Sequence, residues 1–218
     1  MKIDVDEALR YLGAGGAEGA VREAAEHVAR ELESRVTPRY VFRDFDMEER
    51  PQGIVLRGAN LTLPGSLARR MLAGCHRVSL LVCTLGAAFD ALLRAAQARD
   101  MAQAVVLDAC GSAYVEAACD RLERDIAVRH PGLYLTDRFS PGYGDLPLDI
   151  QPGLLAALDA PRQAGVACTD SYLMTPAKSV SAIIGLSREP RPARIRGCGC
   201  CALKENCAYR ERGTHCDF

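Results

Sequence analysis

Residues 138–147 combine groups that suit a charged ligand with a backbone that has little freedom. Arg138 offers five N–H donors in a planar fork that fits a carboxylate, and Tyr143 offers a flat ring with a hydroxyl tip. Pro141 fixes its own φ and Gly142 permits a left-handed backbone, so the loop is bent and stiff. The loop therefore predicts a site for an amino-acid-like ligand. The alternative is a tight surface turn with a solvated arginine.

A second stretch, residues 171–187, adds a motif of its own. Together the two stretches resemble the reactivation domain of cobalamin-dependent methionine synthase, which binds S-adenosylmethionine and remethylates the oxidised corrinoid. The family's loop, Arg-x-x-Pro-Gly-Tyr and a later Pro, is matched by Arg138, Pro141, Gly142, Tyr143 and Pro147. Its second motif is matched by Thr169, Ser171, Met174, Pro176, Ser179, Val180 and Ser181. Cys168 and Ala182 depart from that motif, and the resemblance is clear over about residues 100 to 187.

The resemblance implies an α+β fold, with a twisted mixed or antiparallel sheet and helices packed around it. It also implies a set of S-adenosylmethionine-binding residues, namely Glu116, Arg138, Ser140, Pro141, Gly142 and Tyr143. The resemblance implies that Tyr143 lies between the sulfonium and the corrin face. We therefore assign Tyr143 to the catalytic step. The residues expected to face the corrinoid are Met174, Pro176 and Lys178.

Glu116 is assigned through the stretch Val115-Glu-Ala117, about twenty residues before the arginine loop. The alternative is an acid at a helix border, paired with Arg121 or with water. Two site residues of the family have no clear match in this chain. For an acid from the amino-terminal part, the candidates are Asp44, Asp46 and Asp90. A tyrosine on the family's last strand has no counterpart, because an Arg- and Pro-rich connector stands in its place.

The chain carries neither an Asp-x-His-x-x-Gly corrinoid-binding signature nor a phosphate-binding glycine-rich loop. We therefore expect the corrinoid to arrive on a partner, a corrinoid-binding methionine synthase protein, with an electron donor that is flavodoxin- or ferredoxin-like. The chain would support reductive remethylation, as part of a methyltransferase system. The alternatives are a non-catalytic protein that binds or escorts the corrinoid protein, and an iron–sulfur electron carrier.

Five of the ten cysteines lie in the last twenty-one residues. Four of them follow the spacing C-x2-C-x5-C-x8-C, and these are Cys198, Cys201, Cys207 and Cys216. Four thiolates at such spacing fit one tetrahedral zinc ion or an iron–sulfur cluster. Cys200 is an additional thiol, and His215 is an alternative ligand. Disulfides or redox-active thiols remain the other interpretation of the tail. The other five cysteines stand singly in apolar surroundings, as small core residues do.

Composition places the chain among ordinary globular proteins. It has 218 residues, 49% hydrophobic and 25% charged, with a formal net charge of −1. No basic stripe indicates nucleic acid, and no apolar run is long enough for a membrane span. The amino terminus is unlike a signal peptide, so we expect a cytoplasmic protein.

Periodicity divides the chain into one domain, residues 1–187, and a linker with a cysteine-rich tail, residues 188–218. Amphipathic helices over 4–12 and 17–34 form either a docking surface or the edge of the core. Short strands are predicted over 37–46, 53–57 and 60–63, a buried central strand over 77–84, and helices over 64–72, 85–94, 100–129 and 151–158. A short strand is predicted over 133–135. Residues 166–174 and 179–186 are predicted as paired strands.

Overall fold

The computed structural model describes residues 1–190, which form a central sheet between two layers of helices. The strands are β1 Arg39–Arg50, β2 Gly53–Leu56, β3 Leu61–Leu63, β4 Cys75–Thr84, β5 Tyr134–Leu135, β6 Ala167–Cys168, β7 Met174–Thr175 and β8 Ser179–Ser187. Six of these strands form one sheet in the order β3-β2-β1-β4-β8-β5, and every pairing in it is antiparallel. The α+β class is confirmed, with an antiparallel rather than a mixed sheet.

The helices lie on both faces of this sheet. They are α1 Val5–Tyr11, α2 Ala20–Arg35, α3 Gly65–Leu72, α4 Gly86–Gln97, α5 Met101–Arg129, α6 Gln151–Ala157 and α7 Ala160–Gln163, with a short 3-10 turn at Leu148–Ile150. Helices α1, α2, α4 and α5 share one hydrophobic core with the sheet, and α3, α6 and α7 share the other. The predicted helices are confirmed to within a few residues at their ends.

The central strands β4 and β8 are buried on both faces. Along β4, Leu81 belongs to the α5 side of the sheet, whereas Leu80 and Val82 belong to the α3 side. On β8, Ala182 and Ile183 divide between the two sides in the same way. Because successive side chains point to opposite faces of a strand, a continuous run of apolar residues suits a strand that is covered by helices on both faces. This explains the continuous apolar composition that predicted a central strand.

Helix α5 is the longest element, and it carries the predicted site residue Glu116. Its 29 residues span about 43 Å at 1.5 Å each. Asp100 begins the helix by accepting hydrogen bonds from the N–H groups of Ala102 and Gln103. Gly111 lets α4 approach closely, since a Cβ there would lie 2.3 Å from the Phe89 ring. Small residues thus allow this helix to pack tightly against its neighbour.

The strand predicted over 179–186 is confirmed as β8, but residues 166–174 do not form a strand paired with it. Only a two-residue ladder joins β6 to β7, and β8 pairs with β4 and β5 instead. Between β6 and β7 the chain turns: the Tyr172 N–H donates to the Thr169 carbonyl, and the Leu173 N–H donates to the Thr169 hydroxyl. A threonine that bonds its own backbone in this way competes with a strand ladder. The alternating polar and apolar residues at 166–174 therefore belong mainly to the loop between β6 and β7.

Within residues 1–190, no helix is long and apolar enough to cross a membrane. Three of the five scattered cysteines, Cys83, Cys110 and Cys119, are fully buried core residues, as predicted, and Cys75 and Cys168 are partly buried. The cysteines predicted to bind a metal, Cys198, Cys201, Cys207 and Cys216, lie outside the described residues. The domain division at residue 187 stays a prediction.

Candidate ligand-binding cleft

A cleft of about 450 Å³ opens at the end of the sheet where β8 begins. The arginine loop, helix α5 and the loop before β8 each contribute to its walls. It is lined by Glu116, Ser140, Pro141, Tyr143, Leu148, Gln151, Tyr172, Leu173, Met174, Ala177, Ser179, Val180 and Ser181. A volume of this size is typical of small-molecule sites. The two sequence motifs, which are thirty residues apart in the chain, meet here.

The arginine loop is fixed to the sheet at its start. Phe139 is fully buried, and its backbone N–H and C=O both pair with Ile183 of β8, at 3.1 and 2.8 Å. Further along, the Gly142 N–H donates to the Leu146 carbonyl at 2.9 Å. Gly142 has a φ of +89°, a conformation that side chains disfavour, so glycine is needed at this turn. The predicted bend around Pro141 and Gly142 is present.

The same loop is fixed at its far end to helix α3. The Asp145 carboxylate accepts hydrogen bonds from the N–H groups of Ser66 and Leu67, at 2.6 and 2.8 Å. These bonds, with that from Leu67 the stronger influence, lower the pKa of Asp145 to about 2. Gly65 permits the approach, because a Cβ there would lie 2.8 Å from Asp145. A residue from one loop therefore caps a helix nearly eighty residues earlier in the chain.

Arg138 binds three carboxylates of helix α5. Its guanidinium donates to Glu116, to Asp120 at 2.7 Å, and to Glu123. The side chain is only 11% exposed. Burial alone would lower the pKa of Arg138, but the carboxylates, Glu123 foremost, raise it well above its ordinary value. The guanidinium is therefore a permanent cation held against one face of the helix.

Glu116 connects this ion cluster to the cleft. Its carboxylate accepts a hydrogen bond from Arg138, and the residue also lines the cleft. Arg138 itself is not among the lining residues. The partner of Glu116 is Arg138 rather than Arg121, which instead bonds Asp125. With three carboxylates around one guanidinium, the cluster carries an excess of negative charge, which suits a cationic ligand group.

The second wall of the cleft is the loop that precedes β8. Tyr172 and Leu173 are exposed at its rim, and Met174 is half-buried in its side. Pro176 is buried beside them. The Lys178 ammonium donates to Asp108 at 3.0 Å and to Ser112 at 2.8 Å, both on α5. The charge of Lys178 therefore holds this loop against the helix.

The remaining acids predicted as site candidates lie elsewhere. Asp44 bonds Ser79 and His130, and Asp46 pairs with Arg77. Among the described residues that line the cleft, none of Asp44, Asp46 and Asp90 occurs. Asp90 lies nearest, since it accepts a hydrogen bond from the N–H of Ala177, a lining residue, at 3.2 Å.

Sequence reasoning missed several residues of the site. Asp120 and Glu123 stand four and seven residues after Glu116, a spacing that puts all three on one helix face. That spacing was the available signal in the sequence. Gln151, which is 2% exposed and bonds Ser181 at 2.7 Å in the cleft, gave no signal in the sequence.

Comparison with solved structures places the architecture among known folds. The structure matches a chain described as "Crystal Structure of the MetH Reactivation Domain bound to AdoHcy", with a TM-score of 0.66 and 17% sequence identity. The match covers 97% of this chain and 82% of that one. The two share a fold. At this identity the match shows the fold alone, and no protein-family model and no curated protein sequence matches the chain.

Proposed function

We propose that this chain binds S-adenosylmethionine in the cleft and supports the reductive remethylation of cobalamin carried by a partner protein. The observation that carries the proposal is the meeting of the two motif segments in one cleft. Glu116, Ser140, Pro141, Tyr143 and Met174, all chosen from the sequence, line it together. The MetH domain that shares the fold is described as bound to AdoHcy, the demethylated form of the same ligand.

The chemistry of the lining fits a cationic amino acid joined to a nucleoside. Glu116 offers a carboxylate to the ligand's ammonium or sulfonium. Arg138 does not line the cleft, so it would act by holding the Glu116 carboxylate at the cleft wall, and its role toward the ligand carboxylate stays a prediction. The stiff loop adds the Ser140 backbone at a fixed position. An apolar and aromatic surface, including Met174 and Tyr143, accommodates the rest of the ligand.

The proposed reaction mainly requires the chain to position the ligand's methyl group against the partner's corrinoid. When bound, the partner's corrinoid would take one electron and then the sulfonium methyl group, leaving S-adenosylhomocysteine as a neutral thioether. No strong acid or base is required of the chain. Tyr143, half exposed at the cleft, would lie between the sulfonium and the corrin face. The turn from Met174 to Lys178 would contact the partner, with the Lys178 side chain holding the turn in place.

The proposal needs two partners, a corrinoid-binding methionine synthase protein and an electron donor of the flavodoxin or ferredoxin type. The cysteine-rich tail would hold zinc or an iron–sulfur cluster through Cys198, Cys201, Cys207 and Cys216. Visible absorption of anaerobically purified protein separates these two, because a cluster is coloured and zinc is not.

Titration calorimetry with S-adenosylmethionine tests the binding step. We expect heat with one site per chain, and a loss of about tenfold in affinity for Tyr143→Ala, equivalent to 1.4 kcal/mol. Tyr134→Ala is the matched control, because Tyr134 is exposed to a similar degree but pairs with the far end of β8. The control should bind as the wild type does.

Absence of binding to the wild-type chain would contradict the proposal and favour an escort or electron-carrying role. An equal loss in both tyrosine variants would also contradict it, because binding would then not depend on the cleft. Binding without any remethylation of a corrinoid-loaded methionine synthase, given a chemical reductant, would retain the ligand but remove the methyl-transfer role.

A further inference from the structure

A second depression lies on the same side of the molecule as the cleft. We call it the α1–α5 groove, and its volume is about 340 Å³. It is lined by Tyr11, Leu12, Leu93, Gln97, Met101, Ala104, Val105, Asp108, Ala109 and Ser112. Residues 101 to 112 of α5 form its length, which is about 17 Å at 1.5 Å per residue. The groove is large enough to hold the side chains of a short peptide segment.

Three large apolar side chains of the groove are exposed. Tyr11 is 43% exposed, Met101 62% and Val105 53%. Single exposed apolar residues need no explanation, but a cluster in a depression marks a surface that another segment covers. What covers it must bring apolar side chains of its own.

The groove adjoins the proposed ligand cleft. Asp108 and Ser112 line the groove, and both bind Lys178, whose neighbours Ala177 and Ser179 line the cleft. A segment in the groove would therefore lie beside the mouth of the cleft.

Charge favours a path of the connector, residues 188–197, along the α5 face. Residues 191–197 carry three arginines and no acid, a net charge of +3, whereas residues 198–218 carry three Lys or Arg and three Asp or Glu and have no net charge. Since the whole chain has a net charge of −1, residues 1–190 carry −4. Part of that excess is the carboxylate cluster around Arg138 on α5, the helix that also forms the groove. Opposite charges raise the local concentration of the tail near this face.

The connector, residues 188–197, is long enough to reach from the end of β8 back to the groove. Strand β8 begins beside the cleft at Ser179 and ends at Ser187, about 26 Å away at 3.3 Å per residue. The ten residues 188–197 span at most about 33–36 Å when extended. A connector of this length is therefore long enough to reach from the end of β8 to the near end of the groove. The following twenty-one residues are ample for its length.

We propose that the α1–α5 groove is the docking site of this chain's own segment 198–218. The segment carries apolar side chains that suit the groove, among them Leu203, Tyr209 and Phe218. Docking there sets the tail cysteines beside the mouth of the cleft, where the proposed function requires electrons. The docking itself does not depend on whether the cleft binds S-adenosylmethionine.

Limited digestion of the full-length chain with a lysine-specific protease tests the docking. Segment 198–218 has one lysine, Lys204, and residues 188–197 have none, so cleavage tracks the population of undocked tail. We expect the double variant Met101→Glu and Val105→Glu to lose the tail about tenfold faster than the wild type, by mass spectrometry of the intact chain. Val128→Glu is the matched control, because Val128 lies on the same helix, is 80% exposed and does not line the groove. It should leave the rate unchanged.

Hydrogen exchange of the same proteins provides a second readout that does not depend on the tail sites. Amides of residues 8–12 and 101–108 should exchange faster in the double variant, whereas those of β4 and β8 should not change if the fold is intact. If the double variant does not fold, Tyr11→Ala takes its place, since its side chain is 43% exposed.

Equal digestion rates in the wild type and the groove variants would overturn the proposal. Groove protection that rises with protein concentration would overturn it in favour of a second copy of the chain. Loss of ligand binding alone, with tail protection unchanged, would contradict the proposed function and leave this inference standing.

Discussion

The two walls of the cleft differ in how they are held. The arginine loop is fixed at three points, through Arg138 to α5, Phe139 to β8 and Asp145 to α3. The loop before β8 is held at its end by Lys178, which bonds α5, whereas its two rim residues, Tyr172 and Leu173, are 40% and 62% exposed. A wall with three anchors keeps its shape before a ligand arrives, which lowers the cost of binding. A rim with exposed apolar side chains suits contact with a partner.

The largest difference between the walls is expected in stability. Phe139→Ala removes a fully buried ring and should lower the free energy of unfolding by about 3–5 kcal/mol. Leu173→Ala, at the rim of the other wall, should change it by less than about 0.5 kcal/mol. Urea unfolding followed by circular dichroism measures both. A similar cost for the two variants would remove the distinction between a fixed wall and an open one.

Removal of the Arg138 guanidinium should have the next largest effect on the free energy of unfolding. Arg138→Ala leaves Glu116, Asp120 and Glu123 close together without their counter-ion. Because these carboxylates are 35%, 49% and 23% exposed, the expected loss is about 1–3 kcal/mol rather than the full cost of a broken buried pair.

Adding Glu123→Gln to Arg138→Ala should restore part of that loss, because one repelling charge disappears. Urea unfolding of the single and double variants gives the comparison. If the second substitution destabilises the protein further, the electrostatic account of the cluster is wrong.

Acid should weaken the anchor between the arginine loop and α3. The pKa of Asp145 is about 2 in the folded chain, below its ordinary value of 3.8. A carboxyl with a lowered folded pKa contributes stability above its unfolded pKa and loses that contribution as the pH falls through the folded one. The melting temperature of Asp145→Ala should thus be below that of the wild type at pH 6, and the gap should shrink between about pH 4 and pH 2. A difference in melting temperature that stays constant with pH would contradict the role of the ionised Asp145 carboxylate as an anchor.

The smallest effect is expected at Tyr172, whose φ of +64° is unfavourable for a side chain. Tyr172→Gly relieves the backbone but removes a ring at the rim, so stability should change by no more than about 1 kcal/mol. Affinity for S-adenosylmethionine should fall more clearly, which calorimetry measures. Unchanged affinity would mean that this ring does not contact the ligand.

Much of the fold was predictable because its signals are local. The periodicity of α5, its Asp100 cap and the apolar run of β4 each follow from neighbouring residues. The error at residues 166–174 arose because the Thr169 side chain bonds the backbone of its own loop, which alternation does not reveal.

The site was predictable only in part, for a related reason. The arginine loop and Glu116 carried motif signals, and both contribute to the cleft. Asp145 as a cap of α3 and Gln151 in the cleft depend on contacts far apart in the chain, which no spacing in the sequence shows. The roles of Arg138, Pro176 and Lys178 toward a ligand or partner stay predictions.

A crystal structure of the full-length chain with S-adenosylhomocysteine is the most direct test of the central claim. The account predicts the ligand between the Ser140–Tyr143 bend and Glu116. A ligand bound elsewhere, or a cleft that stays empty at saturating ligand, would contradict it.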